Sequence, residues 1–245
     1  MLLVFDFDNN GKWNYQSVEE IGFSFQVRDK DGRLMQLQQH ETHEAKKTLG
    51  VYLAPDGNNK VAVEELRRKA ENWRDLIKSG HLDRTDAWLA MQTTITKALQ
   101  YPMAALTLSE KQCSYIMAPV LEAGLTNSSI CRTFPRKVLY GPKDEGGLNM
   151  ISLYDHQGLT QIEFLIEHLS EKTISGEVIR CSIQAAMIEI GIGRNLFTLN
   201  YSLFGHLLTE CWIKNIWKYA SENEIRIEDE VNYSLQLTTS INEGK

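Results

Sequence analysis

Apolar and polar residues alternate through the first part of the chain, with the period of two that is typical of β-strands. Around Trp13 and Tyr15, and again within residues 21–27, apolar residues occupy every second position. Residues 29–32 (Asp-Lys-Asp-Gly) then have the composition of a tight turn, and further apolar residues follow them. The pattern therefore predicts β-strands with turns in this region, including one hairpin around residues 29–32.

A further strand is predicted over residues 48–53, because Leu49 and every second residue after it are apolar. We expect these side chains to lie on a core, with Gly50 allowing backbone or a ligand to approach closely. Residues 55–57 (Pro-Asp-Gly) end this strand with a turn.

From residue 58 the apolar spacing changes to three and four, which predicts amphipathic helices. Asn58 or Asn59 begins the first and Gly80 ends it, Asp83 or Thr85 begins the second, and Ser109 begins the third. Three more follow, of which the last is predicted to be capped by Thr209. The residues that we expect to face the core are Leu66, Ala70, Trp73, Ile77, Trp88, Met91, Ile95, Leu99, Cys113, Ile116, Met117, Val120, Leu121, Ile162, Leu165, Ile166, Leu169, Ile174, Val178, Cys181, Ala185, Ile188, Trp212, Ile213, Ile216, Trp217 and Ala220.

These elements predict the α+β class, with a small N-terminal antiparallel β region followed by a mostly α-helical bundle. We place the β-rich region at residues 1–57, the helical domain at 58–222 and a polar C-terminal tail at 223–245. Within the helical domain, residues 124–147 are rich in turn-forming residues and are predicted to be mostly irregular, apart from a helical turn at 136–139.

Composition narrows the possible functions. The 245 residues are 42% apolar, enough for a substantial core, and no apolar run approaches the roughly 20 residues of a membrane span, so we expect no membrane partner. The four cysteines are widely separated, without paired metal-ligand spacing, which predicts reduced, buried thiols in an intracellular protein. The sequence does not indicate whether the protein lies in the cytoplasm or in the nucleus.

Charge is distributed unevenly around a formal net value of −6. Residues 1–60 carry 9 acids and 7 bases, residues 61–143 carry 8 acids and 12 bases, and residues 144–245 carry 15 acids and 7 bases. A basic middle region of this kind is compatible with a polyanionic partner and also with ordinary variation on helix surfaces.

Two segments resemble catalytic or metal-binding motifs, and each lacks a residue or a spacing that its motif requires. Residues 6–11 (Asp-Phe-Asp-Asn-Asn-Gly) imitate a calcium loop, but the twelfth position is Ser17, which cannot supply the bidentate carboxylate. The same segment lacks the hydroxyl residue of an aspartate phosphatase motif at Asn10. His40 and His43 do not have the spacing of a zinc protease helix. We therefore predict no catalytic residue and no metal ligand in this chain.

The segment from Gly124 to Lys143 carries the most suggestive chemistry, because it contains four bases and no acid. Guanidinium and ammonium groups bind phosphates, and Phe134 and Tyr140 can lie against a sugar or base. The alternative is a solvated loop whose aromatic residues pack on neighbouring helices. The four bases are Arg132, Arg136, Lys137 and Lys143.

Six segments combine into a longer pattern: 47–51 (Lys-Thr-Leu-Gly-Val), the helix beginning near Val61, 99–102 (Leu-Gln-Tyr-Pro), 117–121 (Met-Ala-Pro-Val-Leu), 135–142 (Pro-Arg-Lys-Val-Leu-Tyr-Gly-Pro) and 146–150 (Gly-Gly-Leu-Asn-Met). In order and spacing they resemble the C-terminal part of retrotransposon reverse transcriptases, most closely the non-LTR type. The resemblance covers roughly residues 12–200.

The resemblance implies a fragment of an RNA-directed DNA polymerase that binds an RNA or DNA template–primer duplex. Leu49 and Gly50 then belong to the primer-grip edge of the palm, and the helices after them form the thumb. The residues implied as backbone contacts are Arg67, Arg68, Arg74, Lys78, Arg132, Arg136, Lys137 and Lys143.

The family's metal-binding aspartates match nothing here, since Asp6 and Asp8 lack an adjacent pair and an upstream partner. Magnesium would belong to the missing fingers and palm portion, which is also a possible partner, and this chain alone is predicted to be inactive. The alternative hypothesis is a helical protein-interaction module without a nucleic-acid role. Such a module would bind a protein through its apolar stripes and through Trp212 and Trp217. A phosphatase is the third hypothesis and the least favoured one.

Overall fold

The computed structural model describes residues 5–7, 9, 13–17, 19, 26–37, 40–171 and 173–227. It confirms the predicted α+β class, with small antiparallel hairpins at the N-terminus and a mostly helical remainder. Among the described residues the strands form three two-stranded antiparallel pairs. They are β1 (Phe5–Phe7) with β2 (Trp13–Tyr15), β3 (Gln26–Arg28) with β4 (Leu34–Gln36), and β5 (Lys46–Thr48) with β6 (Val51–Leu53).

The predicted turn at residues 29–32 does connect two paired strands, β3 and β4. Gly32 has a φ of +76° and donates its amide to the Asp29 carbonyl at 2.9 Å, as a tight turn requires. The alternating segment that precedes it lies outside the described residues up to residue 25. Both strands of this hairpin expose their side chains, so this hairpin does not contribute to the described core.

The single strand predicted over residues 48–53 was wrong, because the chain reverses direction within it. Leu49 and Gly50 form the turn between β5 and β6 with φ values of +49° and +87°. Two consecutive positive φ angles match the tight turn that suits the twist of a hairpin. Of the residues expected on a core, Val51 is buried, whereas Leu49 and Leu53 are exposed.

Local capping sets most helix starts. As predicted, Asp83 accepts amide hydrogens from Thr85 and Asp86, and Ser109 forms a capping box with Gln112. The expected Thr209 cap was wrong, since Cys211 occupies the cap position and Thr209 instead donates to Glu189. The helices are α1 (Lys60–Ser79), α2 (Arg84–Ala90), α3 (Thr96–Gln100), α4 (Glu110–Asn127), α5 (Arg136–Tyr140), α6 (Leu153–Ser170), α7 (Ile174–Ile190), α8 (Tyr201–Phe204) and α9 (Trp212–Glu222).

The helices and hairpins separate into two compact units, one formed by residues up to Pro102 with 108–135 and the other by 103–107 with residues from Arg136 onward. In the first unit α1 packs against α4, and the predicted stripe of α1 is buried apart from the half-buried Trp73. A π-helical turn, Met91–Ile95, joins α2 to α3. It places Met91 against Gly124, where a Cβ would lie 1.9 Å from the sulfur.

In the second unit α6, α7 and α9 enclose one core, which includes Trp217 and Leu165. The prediction of which face of α7 is buried was wrong. The buried residues lie one or two positions away from the predicted ones, and the predicted residues are exposed. Ile166 of α6 is also exposed. The inward residues of α7 are Gly176, Ile179, Ile183, Ala186 and Met187.

The prediction of buried thiols was correct for one cysteine only. Cys113 is buried in α4, whereas Cys131, Cys181 and Cys211 are exposed, and none of these four described cysteines forms a disulfide. No helix among the described residues is long and apolar enough to cross a membrane. The predicted domain limits at residues 57 and 222 stay predictions.

The ionisation of Tyr219 predicts how the second unit responds to alkaline pH. Burial, together with the Asp155 carboxylate 3.4 Å from the hydroxyl, raises the pKa of Tyr219 to about 12. An unfolded tyrosine ionises near pH ~10. The folded state therefore holds this proton more tightly, and the resulting stability is complete below pH ~10 and is lost as the pH rises towards about 12.

Urea unfolding at a series of pH values between about 9 and about 12 measures this effect. Tyr219→Phe is expected to flatten the alkaline loss of stability, while Tyr115→Phe at an exposed position leaves it unchanged. A Tyr219→Phe protein that loses stability as steeply as the original chain contradicts this assignment.

Candidate nucleic-acid interface

One group of basic residues lies where α1 begins beside the β5–β6 hairpin. Arg68 Nη2 donates to Glu65 Oε2 at 2.7 Å. This hydrogen bond lowers the pKa of the Glu65 carboxyl, and the charges of Lys69 and Lys47 lower it further. Three positive charges therefore act on one negative charge, and the four residues together carry a net charge of +2. We call Lys47, Glu65, Arg68 and Lys69 the hairpin-side cluster.

Lys47 and Lys69 were missing from the predicted contacts. Lys69 follows Arg68 directly and lies four residues after Glu65, so the helical period could have found it. Lys47 joins the group only because the chain folds back at Leu49 and Gly50. Its Nζ lies 5.8 Å from the centroid of the Tyr52 ring, on the other strand of the hairpin.

A second basic group lies near the C-terminal end of α1. Lys78 Nζ lies 3.3 Å and Arg132 Nη1 lies 3.9 Å from the same Glu122 oxygen. Arg74 Nε donates to Asp75 Oδ1 at 2.8 Å. This hydrogen bond is the main cause that raises the pKa of Arg74, and the nearby charge of Glu122 also raises it. Three bases and two acids leave a net charge of +1. These five residues are the α4-side cluster.

The four bases of α1 that the resemblance implies as backbone contacts lie on two flanks of the helix. At 100° per residue, Arg68 is turned by about 80–120° from Arg67, Arg74 and Lys78, and their partners are different. Arg67 is held in place by the first unit itself. Its Nε donates to Glu71 at 2.8 Å, its Nη1 donates to the Tyr115 carbonyl, and its guanidinium lies 4.3 Å from the centroid of the Tyr115 ring.

The bases of the 124–143 segment fall in both units, with Arg132 in the first and Arg136, Lys137 and Lys143 in the second. Arg136 and Lys137 are exposed in the first turn of α5, and Lys143 is exposed in a 3₁₀ turn at Lys143–Glu145. No ion pair involves Lys137 or Lys143 within the part of the chain that the structure describes. The predicted helical turn at 136–139 is confirmed, because Arg136–Tyr140 forms α5.

The remainder of that segment is more ordered than an irregular loop. Gly147 N donates to Pro142 O at 2.8 Å, and Asn149 N donates to Gly141 O at 2.9 Å. Leu148 N and Met150 N donate to two carbonyls of α5, each at 2.9 Å. The chain after Gly141 thus folds back along α5, which fixes the backbone that carries Lys143. We call residues 141–150 the return turn.

The predicted primer-grip residues form the tip of the β5–β6 hairpin. Leu49 is 87% exposed. Its carbonyl accepts the Tyr101 hydroxyl at 2.8 Å, and a Cβ on Gly50 would lie 3.5 Å from the Tyr101 ring. A leucine with positive φ is unfavourable by about 1–2 kcal/mol relative to glycine, and the tyrosine bond helps to hold it there. The tip therefore presents one apolar side chain on a fixed backbone.

The two tryptophans considered as partner-binding residues lie within the second unit. Trp217 is 1% exposed and donates to the Leu199 carbonyl at 2.9 Å. Trp212 is half-buried, donates to the Ala104 carbonyl at 3.0 Å and packs edge-on against Phe164. Trp217 is thus a core residue and not a surface residue.

No group of three or more potential metal ligands occurs among the described residues. Asp6 lies in β1, and its Oδ1 accepts the amide of Phe7 at 2.8 Å. Of the remaining residues in the Asp6–Gly11 segment, 8 and 10–11 lie outside the described part of the chain. His40 Nδ1 lies 2.9 Å from Glu44 Oε2, so its partner in this segment is a carboxylate.

Comparisons with models of known protein families, with curated proteins and with solved structures give no match for this chain.

Proposed function

We propose that this chain is the palm-edge and thumb region of a reverse transcriptase of the non-LTR type and that it binds the backbone of a template–primer duplex. The single observation that carries the proposal is the hairpin-side cluster. It combines an excess of positive charge with a position beside the Leu49–Gly50 tip, which the sequence resemblance assigns to the primer grip.

The chemistry of the cluster suits contacts to phosphates. Arg68 offers a planar set of donors, and Lys47 and Lys69 offer point charges on long side chains. A phosphate can compete with Glu65 for Arg68 because the pair is at the surface, where an ion pair contributes little to stability. Contacts of this kind position a duplex without reading its sequence.

The proposed contacts extend to Arg74, Lys78 and Arg132 of the α4-side cluster and to Arg136, Lys137 and Lys143. Arg67 is given a different role, because its bond to the Tyr115 carbonyl joins α1 to α4, while its bond to Glu71 lies within α1. Mg²⁺ and the catalytic carboxylates then belong to a fingers and palm portion that acts with this chain. We therefore expect this chain alone to bind a primed duplex without extending it.

Removing the hairpin-side cluster tests the proposal. The triple variant Lys47→Gln, Arg68→Gln, Lys69→Gln is expected to weaken binding to a primed RNA/DNA duplex by about tenfold at moderate salt. The slope of log K against log salt should fall by about 2–3, since each lost phosphate contact removes about 0.9. Fluorescence anisotropy of a labelled duplex over a salt series measures both quantities.

A control triple, Lys97→Gln, Lys111→Gln, Arg194→Gln, removes the same charge at exposed positions outside both clusters. It should change affinity and slope much less. If the two triples lose affinity equally, then the total charge matters and the hairpin-side cluster is not an interface. If the unsubstituted chain does not bind the duplex even at low salt, the proposed function is rejected.

A further inference from the structure

The exposed side of α7 carries an apolar stripe made of Ile174, Val178, Cys181, Ala185 and Ile188. These residues are separated by four, three, four and three positions, which is the spacing of a seam between two packed helices. Ile174 is 82% exposed, Val178 59% and Ile188 64%. We call these five residues the α7 stripe.

The α7 stripe lies on a helix that is already held in place. The opposite side of α7 packs into the second core through Ile183 and Met187, which are buried. Thr173 accepts the Gly176 amide at 3.2 Å at one end, and Gly191 donates to the Met187 carbonyl at 3.0 Å at the other. A preformed helix with large apolar side chains in water can bind a partner without the cost of ordering its backbone.

We propose that two copies of this chain pair through their α7 stripes, in antiparallel orientation, around a twofold axis beside Cys181. The order of side-chain sizes is what selects a second copy as the partner. In this pairing Ile174 meets Ile188 of the other copy, the larger Val178 meets the smaller Ala185, and Cys181 meets its own equivalent. Such a self-complementary surface is what a twofold contact requires.

The charges beside the α7 stripe agree with self-pairing. Its flanking positions hold Ser175, Glu177, Ser182, Gln184 and Glu189. Antiparallel pairing sets Glu177 opposite Gln184 and Glu189 opposite Ser175, so no two carboxylates meet. Arg180 does not join this rim, since it donates to the carbonyls of Leu169 and Glu171.

The size of the contact predicts a weak dimer. The stripe runs over 15 residues from Ile174 to Ile188, and the 14 steps between them cover roughly 21 Å of helix. One pair of helices of this length buries less than the roughly 800 Å² per partner of a standard stable interface. We therefore expect a reversible monomer–dimer equilibrium in the micromolar range and not a permanent dimer. The pairing does not depend on the proposed binding of nucleic acid.

Sedimentation equilibrium of the full chain over a range of micromolar concentrations tests the pairing. Val178→Glu is expected to weaken the dimer by at least about tenfold, because it buries a carboxylate against Ala185 of the other copy. Leu89→Glu is the matched control, since Leu89 is similarly exposed but lies on α2. Both changes are at surface positions, and circular dichroism checks that each variant stays folded.

Crosslinking through Cys181 tests the geometry. With Cys131→Ser and Cys211→Ser in place, a mild disulfide-forming oxidant should link two copies at Cys181, as two thiols lose two protons and two electrons to it. With Cys181→Ser added, the double change Ile174→Cys, Ile188→Cys should crosslink, whereas either change alone should not. Crosslinking by Ile174→Cys alone would show parallel pairing and contradict the antiparallel model.

A chain that stays monomeric at every concentration overturns the proposal, including when a different protein is found to bind the α7 stripe. A dimer that Val178→Glu leaves intact overturns it as well, because the contact then lies elsewhere.

Discussion

Gly147→Ala is expected to destabilise the second unit by about 3 kcal/mol. A Cβ at this position would lie 2.1 Å from the Gly141 carbonyl oxygen and 2.3 Å from its carbonyl carbon. Both are backbone atoms, so no side chain can rotate away to relieve the clash. The return turn can give way only by breaking its bonds to α5, which would also disturb the buried Leu139 and Met150.

Gly146→Ala is the matched control for this prediction. Gly146 has a φ of +83°, and nothing lies within 4 Å of a Cβ built there. Its substitution should cost only about 1 kcal/mol, from the left-handed backbone alone. Chemical denaturation followed by circular dichroism measures both variants. If the two glycine variants lose equal stability, the close approach of Gly147 to Gly141 does not matter for the fold.

Gln161→Met is expected to destabilise the second unit by about 3 kcal/mol, with little change in side-chain volume. Gln161 is completely buried in α6. Its Nε2 donates to Leu106 O at 2.6 Å and lies 3.4 Å from Ala104 O, and its Oε1 accepts Asn215 Nδ2 at 2.8 Å. A thioether can replace none of these bonds, so buried polar groups of two other segments lose their partner.

Glu163→Met on the exposed side of α6 controls for the change of helix propensity and should be nearly neutral. Hydrogen exchange adds a local measurement. Exchange of amides in residues 103–107 should rise in the Gln161→Met protein and not in the control, because Gln161 is what holds this segment to α6. Unchanged exchange there contradicts the role given to Gln161.

The sequence was informative wherever a local rule decides the structure. The start of α2 at Asp83 and the capping box at Ser109 were predicted because a cap satisfies backbone groups within one turn of itself. The hairpin at residues 29–32 followed from turn composition in the same way. The missed turn at Leu49 and Gly50 shows the limit of such rules, since a leucine with positive φ is rarely expected.

The basic clusters could be predicted only in part. Spacing along α1 identifies which bases are close on the helix, but not which flank is occupied by α4 and which is open to the hairpin. Arg67 was therefore grouped with the proposed contacts, although it joins α1 to α4. Lys47 was missed because the fold of the hairpin brings it to Glu65 from 18 positions away in the sequence.

The sequence by itself determined the fold class, the mostly helical character and the starts of α2 and α4, because these depend on periodicity and on bonds between near neighbours. Only the tertiary structure decided which side of α7 is buried. The helix carries apolar residues on two faces, and the choice between them is made by the shapes of α6 and α9, which pack against it. The same is true of residues 103–107, whose place in the second unit depends on Gln161 and Trp212, more than 50 and 100 positions away. Such partners are distant in the chain, so no local pattern records them.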